Sequence, residues 1–365
     1  MSATFLTLLA MALGVVSGPT SMRRCERMKN LVTFGDSYTD EGRLNYFTQH
    51  HEAPPIGKML PPNNNTWSGG YAWGRLVANT TGANYYDYAV AGAQCTNNVD
   101  SRNLAAINGP FPSVLEYEIP TFEKDIHYPG LYPDREAHNT VYALWIGTND
   151  LGIDGILGDK QKPGTTISTY VDCIWSVFDH IYKAGGRQFV LLNQAPLERS
   201  PMYATPGSGG LGNHQYWRDK TKYNVTEYEN KIREYTTSVN AMYHYGAPFN
   251  LVVKKRWPGA SISIFDVHSL MMDVINDPGE YLDAPADVVS PYRTCLDGCV
   301  DSKNPRSSFM WYDELHPAER MEEIFAKNFI EVVHGRSKYA TYYTDGSLSL
   351  LAVLTRYDMC IWQDA

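Results

Sequence analysis

The clearest pattern along the chain is a series of short apolar runs that do not alternate with polar residues. Strands that are covered on both faces of a sheet are apolar throughout, whereas half-buried strands alternate. Each run is followed by a polar or glycine-containing turn, so we expect strands that end abruptly. The five predicted strands span residues 31–34, 85–90, 141–146, 189–192 and 262–266.

A second pattern, with apolar residues three and four positions apart, predicts helices between these strands. Predicted helices cover residues 72–78, 167–181 and 228–242, and a last one begins at residue 316 with Pro317 in its first turn. Residues 46–70 are predicted to be an irregular loop, and residues 97–140 contain one or two helices that the pattern does not place. Alternating strands and helices indicate a three-layer α/β domain with a parallel sheet over residues 28–335.

The two ends of the chain differ from this pattern. Residues 3–16 are apolar and are followed by Ser17 and Gly18, which predicts a signal peptide over residues 1–20 and a secreted, extracellular protein. The run is too short to cross a bilayer, so we expect no membrane span. The tail over residues 336–365 carries an apolar patch at 347–354, which fits an extra strand, a docked segment or an unfolded one.

Modifications typical of secreted proteins fit the same compartment. N-x-T acceptor patterns predict glycosylation at Asn64, Asn79 and Asn224. Among the six cysteines, Cys295 and Cys299 flank an Asp-Gly turn and are predicted to form a small looped disulfide. A Cys95–Cys173 bridge is a second prediction. Cys25 and Cys360 are either partners or free.

Composition and charge exclude some classes of function. The formal net charge of the 365 residues is −9, and the longest block of Lys and Arg is the triplet at 254–256. Such a surface lacks the positive charge that binds the phosphate backbone of a nucleic acid, so we expect no nucleic-acid partner. The ten histidines show no metal-binding spacing, and we expect neither a metal nor another cofactor.

Three polar turns follow three of the predicted strands and contain Ser37, Gly92 and Asn149. The carboxyl ends of parallel strands meet at one edge of a sheet, so these residues are expected to lie close together. Taken alone, G-D-S around Ser37 is more typical of an ordinary turn than of a nucleophile, and G-T-N-D around Asn149 is also a common turn sequence. Together they suggest a nucleophilic serine with oxyanion donors from the Ser37 N–H, the Gly92 N–H and the Asn149 amide.

A nucleophilic serine needs a base that a third group orients. Asp313 precedes His316 by three residues, so its carboxylate can fold back onto one imidazole nitrogen while the other faces Ser37. The alternative is that Asp313 caps a helix and His316 is exposed.

The four blocks F-G-D-S-Y-T-D (34–40), A-G-A (91–93), G-T-N-D (147–150) and D-E-L-H (313–316) resemble those of the GDSL, or SGNH, hydrolases. The resemblance implies a flavodoxin-like sheet of five parallel strands with helices on both faces. It also implies Ser37 as nucleophile, His316 as base and Asp313 as its orienting residue, with an oxyanion hole from Ser37, Gly92 and Asn149.

Further residues, including A-V-A-G-A-Q-C (89–95) and the short C-x-x-x-C loop, resemble the secreted fungal acetylesterases that act on plant hemicellulose. This resemblance implies release of acetate from acetylated oligosaccharides or small acyl esters through an acyl-serine intermediate, and we expect a monomer. The alternatives are a lipase or phospholipase of the same fold and an inactive carbohydrate-binding protein. The G-x-S-x-G elbow of the other large esterase fold is absent.

Bulky aromatic residues flank the predicted site in the sequence. Trp145 lies near the end of the third strand, and Trp311 and Tyr312 directly precede Asp313. If their rings face the site, they leave room for a small acyl group only, and acetyl esters should be preferred over butyryl and octanoyl esters. The alternative is that these rings fill the core.

Overall fold

The structure is a computed structural model that describes residues 28–345. The predicted signal peptide, Cys25, Cys360 and the apolar patch at 347–354 lie outside the described residues. Within the described range the strands are β1 (Asn30–Gly35), β2 (Asn84–Asp87), β3 (Asn103–Leu104), β4 (Gly109–Pro110), β5 (Thr140–Trp145), β6 (Gln188–Leu192), β7 (Ser261–Phe265), β8 (Asp287–Pro291), β9 (Arg293–Cys295), β10 (Cys299–Asp301), β11 (Phe309–Trp311) and β12 (Ala340–Thr344).

The α-helices of this range alternate with the strands. They are α1 (Arg43–His50), α2 (Trp73–Thr81), α3 (Ile119–Asp125), α4 (Thr148–Leu151), α5 (Ile167–Lys183), α6 (Val225–Pro248), α7 (Val267–Asn276) and α8 (Glu319–Val333). No helix within residues 28–345 is both long enough and apolar enough to span a bilayer.

The central sheet has the strand order β12-β7-β6-β5-β1-β2. The neighbouring strands β2, β1, β5, β6 and β7 pair in parallel. This pairing confirms the predicted three-layer α/β fold and its five parallel strands. The order of these five, numbered along the chain, is the 2-1-3-4-5 order of flavodoxin-like folds, in which ligands bind where the order reverses. That point lies between β1 and β5, directly beyond Gly35.

A sixth strand extends the sheet beyond the predicted end of the domain at residue 335. β12 pairs antiparallel with β7, and Asp345 just after it accepts a hydrogen bond from the Gly259 backbone N–H at 2.5 Å. The first ten residues of the predicted tail therefore belong to the fold. The sequence A-T-Y-Y-T has the β-branched and aromatic composition of a strand.

Helices cover both faces of the sheet. On one face, Trp145 of β5 packs edge-on against Phe325 of α8, with ring centroids 5.1 Å apart. On the other face, Phe34 of β1 packs against Phe122 of α3 at 5.5 Å. The alternate residues of each strand thus reach two different helical layers, which explains why the strands carry no polar face.

Several predicted bounds are wrong. The second strand, predicted over 85–90, ends at Asp87. Helix α1 has Arg43 and Phe47 as its buried positions and extends over residues 46–50 of the predicted irregular loop. A buried arginine does not register as an apolar position, so the helical pattern is hidden. The last helix begins at Glu319, not at residue 316, because the backbone of Ala318 is still extended, with φ −74° and ψ 162°.

Trp145 and Trp311 are core side chains. Trp145 is 2% exposed and its indole N–H donates to the Asn193 carbonyl at 3.1 Å. Trp311 is fully buried and donates to the Val288 carbonyl at 3.2 Å. For both tryptophans the core alternative is correct, and an argument for a narrow acyl site cannot rest on them.

Candidate active site

Ser37 lies in the turn that ends β1. The turn requires glycine at position 35, where φ is +152° and a Cβ would lie 2.2 Å from the Trp145 carbonyl oxygen. The Gly35 N–H donates to the buried carboxyl of Glu118 at 2.9 Å, which fixes the end of the strand. Ser37 therefore stands at the carboxyl edge of the sheet, 8% exposed.

His316 and Asp313 reach Ser37 from the segment between β11 and α8. The His316 Nε2 atom lies 2.8 Å from Ser37 Oγ. On the other side of the ring, Nδ1 lies 2.9 Å from both carboxylate oxygens of Asp313. All three residues are at least nine-tenths buried. The residues predicted from D-x-x-H thus form one hydrogen-bonded chain with Ser37, 279 positions away.

Asp313 is held in its charged form. Burial alone would raise its pKa, but the charge and hydrogen bonds of His316 and the backbone N–H of Leu315 hold that pKa below its usual value. Both backbone donors reach Oδ1, at 2.8 Å from His316 and 2.9 Å from Leu315. A carboxylate in this position fixes the imidazole with Nδ1 protonated and Nε2 free to accept.

The Asn149 amide links the loops that carry Ser37 and Gly92. Its nitrogen donates to the Ala93 carbonyl at 3.0 Å and lies 3.4 Å from a carboxyl oxygen of Asp36, the neighbour of Ser37. Among the described residues, neither the Ser37 N–H nor the Gly92 N–H has a hydrogen-bond acceptor. The loops of the three predicted donors therefore lie next to one another, and the fold leaves the two backbone N–H groups unused.

Gly92 needs its own supports. Its φ is +84°, and an added Cβ would lie 2.9 Å from the Phe111 ring, so glycine suits this position. The Arg102 guanidinium donates to the Gly92 carbonyl and lies 4.7 Å above the same Phe111 ring. Arg102 fixes the plane of the peptide bond and thereby the orientation of the loop that carries Gly92.

Two further carboxyl groups lie behind the site. Burial raises the pKa of Asp36 to about 7 and, likewise, the pKa of Asp150 to about 7. Asp36 accepts from the Tyr38 N–H at 3.1 Å, and Asp150 accepts from the Cys95 N–H at 2.9 Å. Asp36 thus stabilises the turn that carries Ser37, and Asp150 joins the turn after β5 to the loop that carries Gly92.

Three aromatic rings surround His316, and the sequence patterns did not indicate them. Tyr38, Trp67 and Tyr216 have ring centroids 5.8, 5.3 and 5.4 Å from the imidazole. Trp67 lies in the loop between α1 and α2, and Tyr216 lies in the connection between β6 and α6, where no periodicity exists. A topological signal was available, since the connection after β6 leaves the same edge of the sheet as Ser37.

Both predicted disulfides are present, Cys95–Cys173 and Cys295–Cys299. The Cys295–Cys299 bridge closes the β9–β10 hairpin, and backbone hydrogen bonds of Cys295 connect this hairpin to the site. The Cys295 N–H donates to the Glu314 carboxylate at 2.5 Å, and its carbonyl accepts from the Gln215 N–H at 2.8 Å. The hairpin therefore braces the neighbours of both Asp313 and Tyr216.

We expect that replacing Cys295 and Cys299 by serine lowers kcat several-fold while the free energy of unfolding falls little. The bridge spans 4 positions, so closing its loop in the unfolded chain contributes about 2 kcal/mol to stability, less than half of the control's value. The matched control is the Cys95→Ser/Cys173→Ser variant, which opens a loop of 78 positions worth about 4.5 kcal/mol. Turnover below the melting temperature and thermal unfolding would be measured for both. An unchanged kcat in the first variant would contradict the bracing role.

Residues 28–345 contain no group of three or more His, Cys, Asp or Glu side chains arranged to hold a metal ion.

The chain belongs to the GDSL-like lipase/acylhydrolase family, whose sequence model matches residues 31–329. That range begins in β1 and ends in α8, so it includes the whole constellation described above.

Two relatives are named acetylesterases. The acetylesterase of Hypocrea jecorina is 50% identical over 319 residues, which cover 86% of this chain and 91% of the relative. The acetylesterase of Thermothelomyces thermophilus is 27% identical and covers 88% of this chain and 95% of its own. Among solved structures, a lipolytic G-D-S-L family protein of Veillonella parvula aligns over 83% of this chain and 97% of its own, with 12% identity and a TM-score of 0.37.

Proposed function

We propose that this protein is a carbohydrate acetylesterase in which Ser37 is the nucleophile, His316 the general base and Asp313 the residue that orients the base. The observation that carries the proposal is the continuous chain of short contacts, 2.8 Å from Ser37 Oγ to Nε2 and 2.9 Å from Nδ1 to the carboxylate. Membership in an acylhydrolase family supports ester hydrolysis as the reaction.

In this mechanism Ser37 Oγ attacks the ester carbonyl carbon while His316 Nε2 takes the hydroxyl proton. The carbonyl oxygen becomes an oxyanion that accepts from the Ser37 N–H, the Gly92 N–H and the Asn149 amide. Collapse breaks the bond to the alcohol, which leaves with the proton from His316. Water then attacks the acetyl-serine with His316 again as the base, and acetate is released.

The substrate class rests on the relatives. Both are named acetylesterases, and the alignment with the first leaves little of either chain unmatched. The alcohol we propose is a sugar hydroxyl of an acetylated hemicellulose oligosaccharide. Trp67, half-buried beside His316, offers an aromatic surface at the site.

We expect kcat/KM to be at least tenfold higher for an acetyl ester than for the butyryl ester of the same alcohol. Each methylene that a small acyl pocket cannot accommodate costs about 1 to 3 kcal/mol. The measurement is kcat/KM along a series from acetate to octanoate, with acetylated and deacetylated xylo-oligosaccharides as natural substrate and control. A rise with chain length would replace this proposal by the lipase alternative.

We further propose that the protein is a secreted monomer with glycans at Asn64, Asn79 and Asn224. All three asparagines are exposed, and two disulfides suit an oxidising compartment. Asn224 also caps α6, accepting from the Glu227 N–H through Oδ1 at 3.3 Å, and a glycan on its nitrogen leaves that bond intact. Peptide mapping after deglycosylation and sizing in solution test these points.

A further inference from the structure

We propose that Tyr216 is a positioning residue that holds the Asp313 carboxylate in the orientation His316 requires; this inference rests on the proposed function. The Tyr216 hydroxyl donates to Asp313 Oδ2 at 2.7 Å. The same hydroxyl lies 3.3 Å from His316 Nδ1, and its ring meets the imidazole edge-on. Tyr216 thus contacts both members of the pair without reaching Ser37 itself.

The hydrogen bonds of Asp313 explain why this contact matters. Oδ1 is fixed by the backbone N–H groups of Leu315 and His316 in addition to the imidazole. Among the described residues, Oδ2 accepts only from the imidazole and from Tyr216. Asp313 is 4% exposed, so water does not readily replace a lost donor. Without the Tyr216 hydroxyl, only the imidazole itself holds Oδ2, and no other described group fixes that oxygen independently of the base.

The residues next to Tyr216 and Asp313 in the sequence also form hydrogen bonds, and these keep the tyrosine aligned with the carboxylate. The Gln215 side chain donates to the Glu314 carboxylate at 2.8 Å, directly beside the Tyr216–Asp313 bond. The Tyr216 N–H donates to Nδ1 of the fully buried His214 at 3.3 Å. Burial lowers the pKa of His214 to about 4, so the ring is neutral at neutral pH and its Nδ1 can accept this bond. Two adjacent pairs of residues are therefore joined side by side.

The hydroxyl also affects the charge that His316 experiences. Burial and the Asp313 charge raise the pKa of Tyr216 far above its usual value, so it stays a donor at every working pH. By donating to Oδ2 it draws part of the carboxylate charge away from the imidazole. Removing it leaves more of that charge facing Nδ1 and stabilises the protonated ring. The acid limb of the kcat/KM profile should then move to higher pH.

Several ionisable groups influence the Asp313–His316 pair, and the proposed change alters one of them. They are Asp36, Tyr38, His214, Tyr216, Tyr312 and Glu314.

The experiment compares Tyr216→Phe with the wild-type protein on a small acetyl ester across the pH range. We expect kcat to fall about tenfold, as for the loss of a hydrogen bond to a charged group, with KM within twofold. We expect the acid limb to move to higher pH by a measurable fraction of a unit and the melting temperature to fall by only a few degrees, since Oδ2 loses one buried donor but keeps the imidazole. A KM effect alone, or an acid limb that stays in place or moves to lower pH, would overturn the positioning role.

Tyr339→Phe is the matched control. Its hydroxyl also donates to a carboxylate, Asp273 Oδ2 at 2.6 Å, but this bond joins the residue just before β12 to α7 and involves neither Asp313 nor His316. The same loss of one hydroxyl should therefore leave the acid limb in place. The Ser37→Ala variant separates the two proposals. If Ser37→Ala retains activity, the proposed function fails. If Ser37→Ala is inactive and Tyr216→Phe behaves like the wild type, only the positioning role is overturned.

Discussion

Replacing Ser37 by alanine should lower kcat for ester hydrolysis about a millionfold, the scale seen when a triad nucleophile is removed. The substitution deletes the one oxygen that lies 2.8 Å from His316 Nε2, and no covalent acyl intermediate can then form. The hydroxyl is small and lies at the sheet edge, so the fold should be unaffected. Turnover of an acetyl ester and thermal unfolding would be measured together.

His316→Ala should cause nearly the same loss, and the double variant should be no worse than either single one. Nucleophile and base act as a unit, so their losses do not add. Ser200→Ala is a suitable control, because Ser200 is also buried but bonds to the Leu197 carbonyl away from the site. If folded Ser37→Ala turns over substrate at a rate near the wild type, another residue must be the nucleophile.

The parallel strands were predictable because their evidence is local. A strand covered on both faces does not alternate between apolar and polar positions, and Leu31, Val32 and Phe34 of β1 are all fully buried. The end of such a strand also fixes where its following turn lies. Ser37, Gly92 and Asn149 could therefore be assigned to one sheet edge without any knowledge of their contacts.

Features that depend on distant partners were not predictable. Arg43 is buried in α1 because its guanidinium donates to the Asp87 carbonyl at 2.6 Å and to the Tyr117 hydroxyl at 3.1 Å, 44 and 74 positions away. Tyr216 is separated from Asp313 by 97 positions. Neither residue has a neighbour in sequence that signals its partner, so only the three-dimensional arrangement reveals its role.

Asn149→Ala should lower kcat about a hundred- to thousandfold with little change in KM, which is the usual cost of removing one oxyanion donor. The amide has two hydrogens, and the Ala93 carbonyl takes one of them at 3.0 Å. The other faces Asp36 at 3.4 Å, a long contact that an oxyanion beside Ser37 can displace. The donor is thus oriented before substrate arrives and strengthens its bond only as charge develops.

Asn193→Ala is the matched control for this prediction. Asn193 follows β6 as Asn149 follows β5, but its amide donates to Asp266 at 2.8 Å and its oxygen accepts from the His268 N–H at 3.0 Å. Loss of that side chain should reduce stability and leave kcat nearly unchanged. If Asn149→Ala instead raises KM with an unchanged kcat, the amide binds the ground state and transition state equally, and the oxyanion hole consists of the two backbone N–H groups alone.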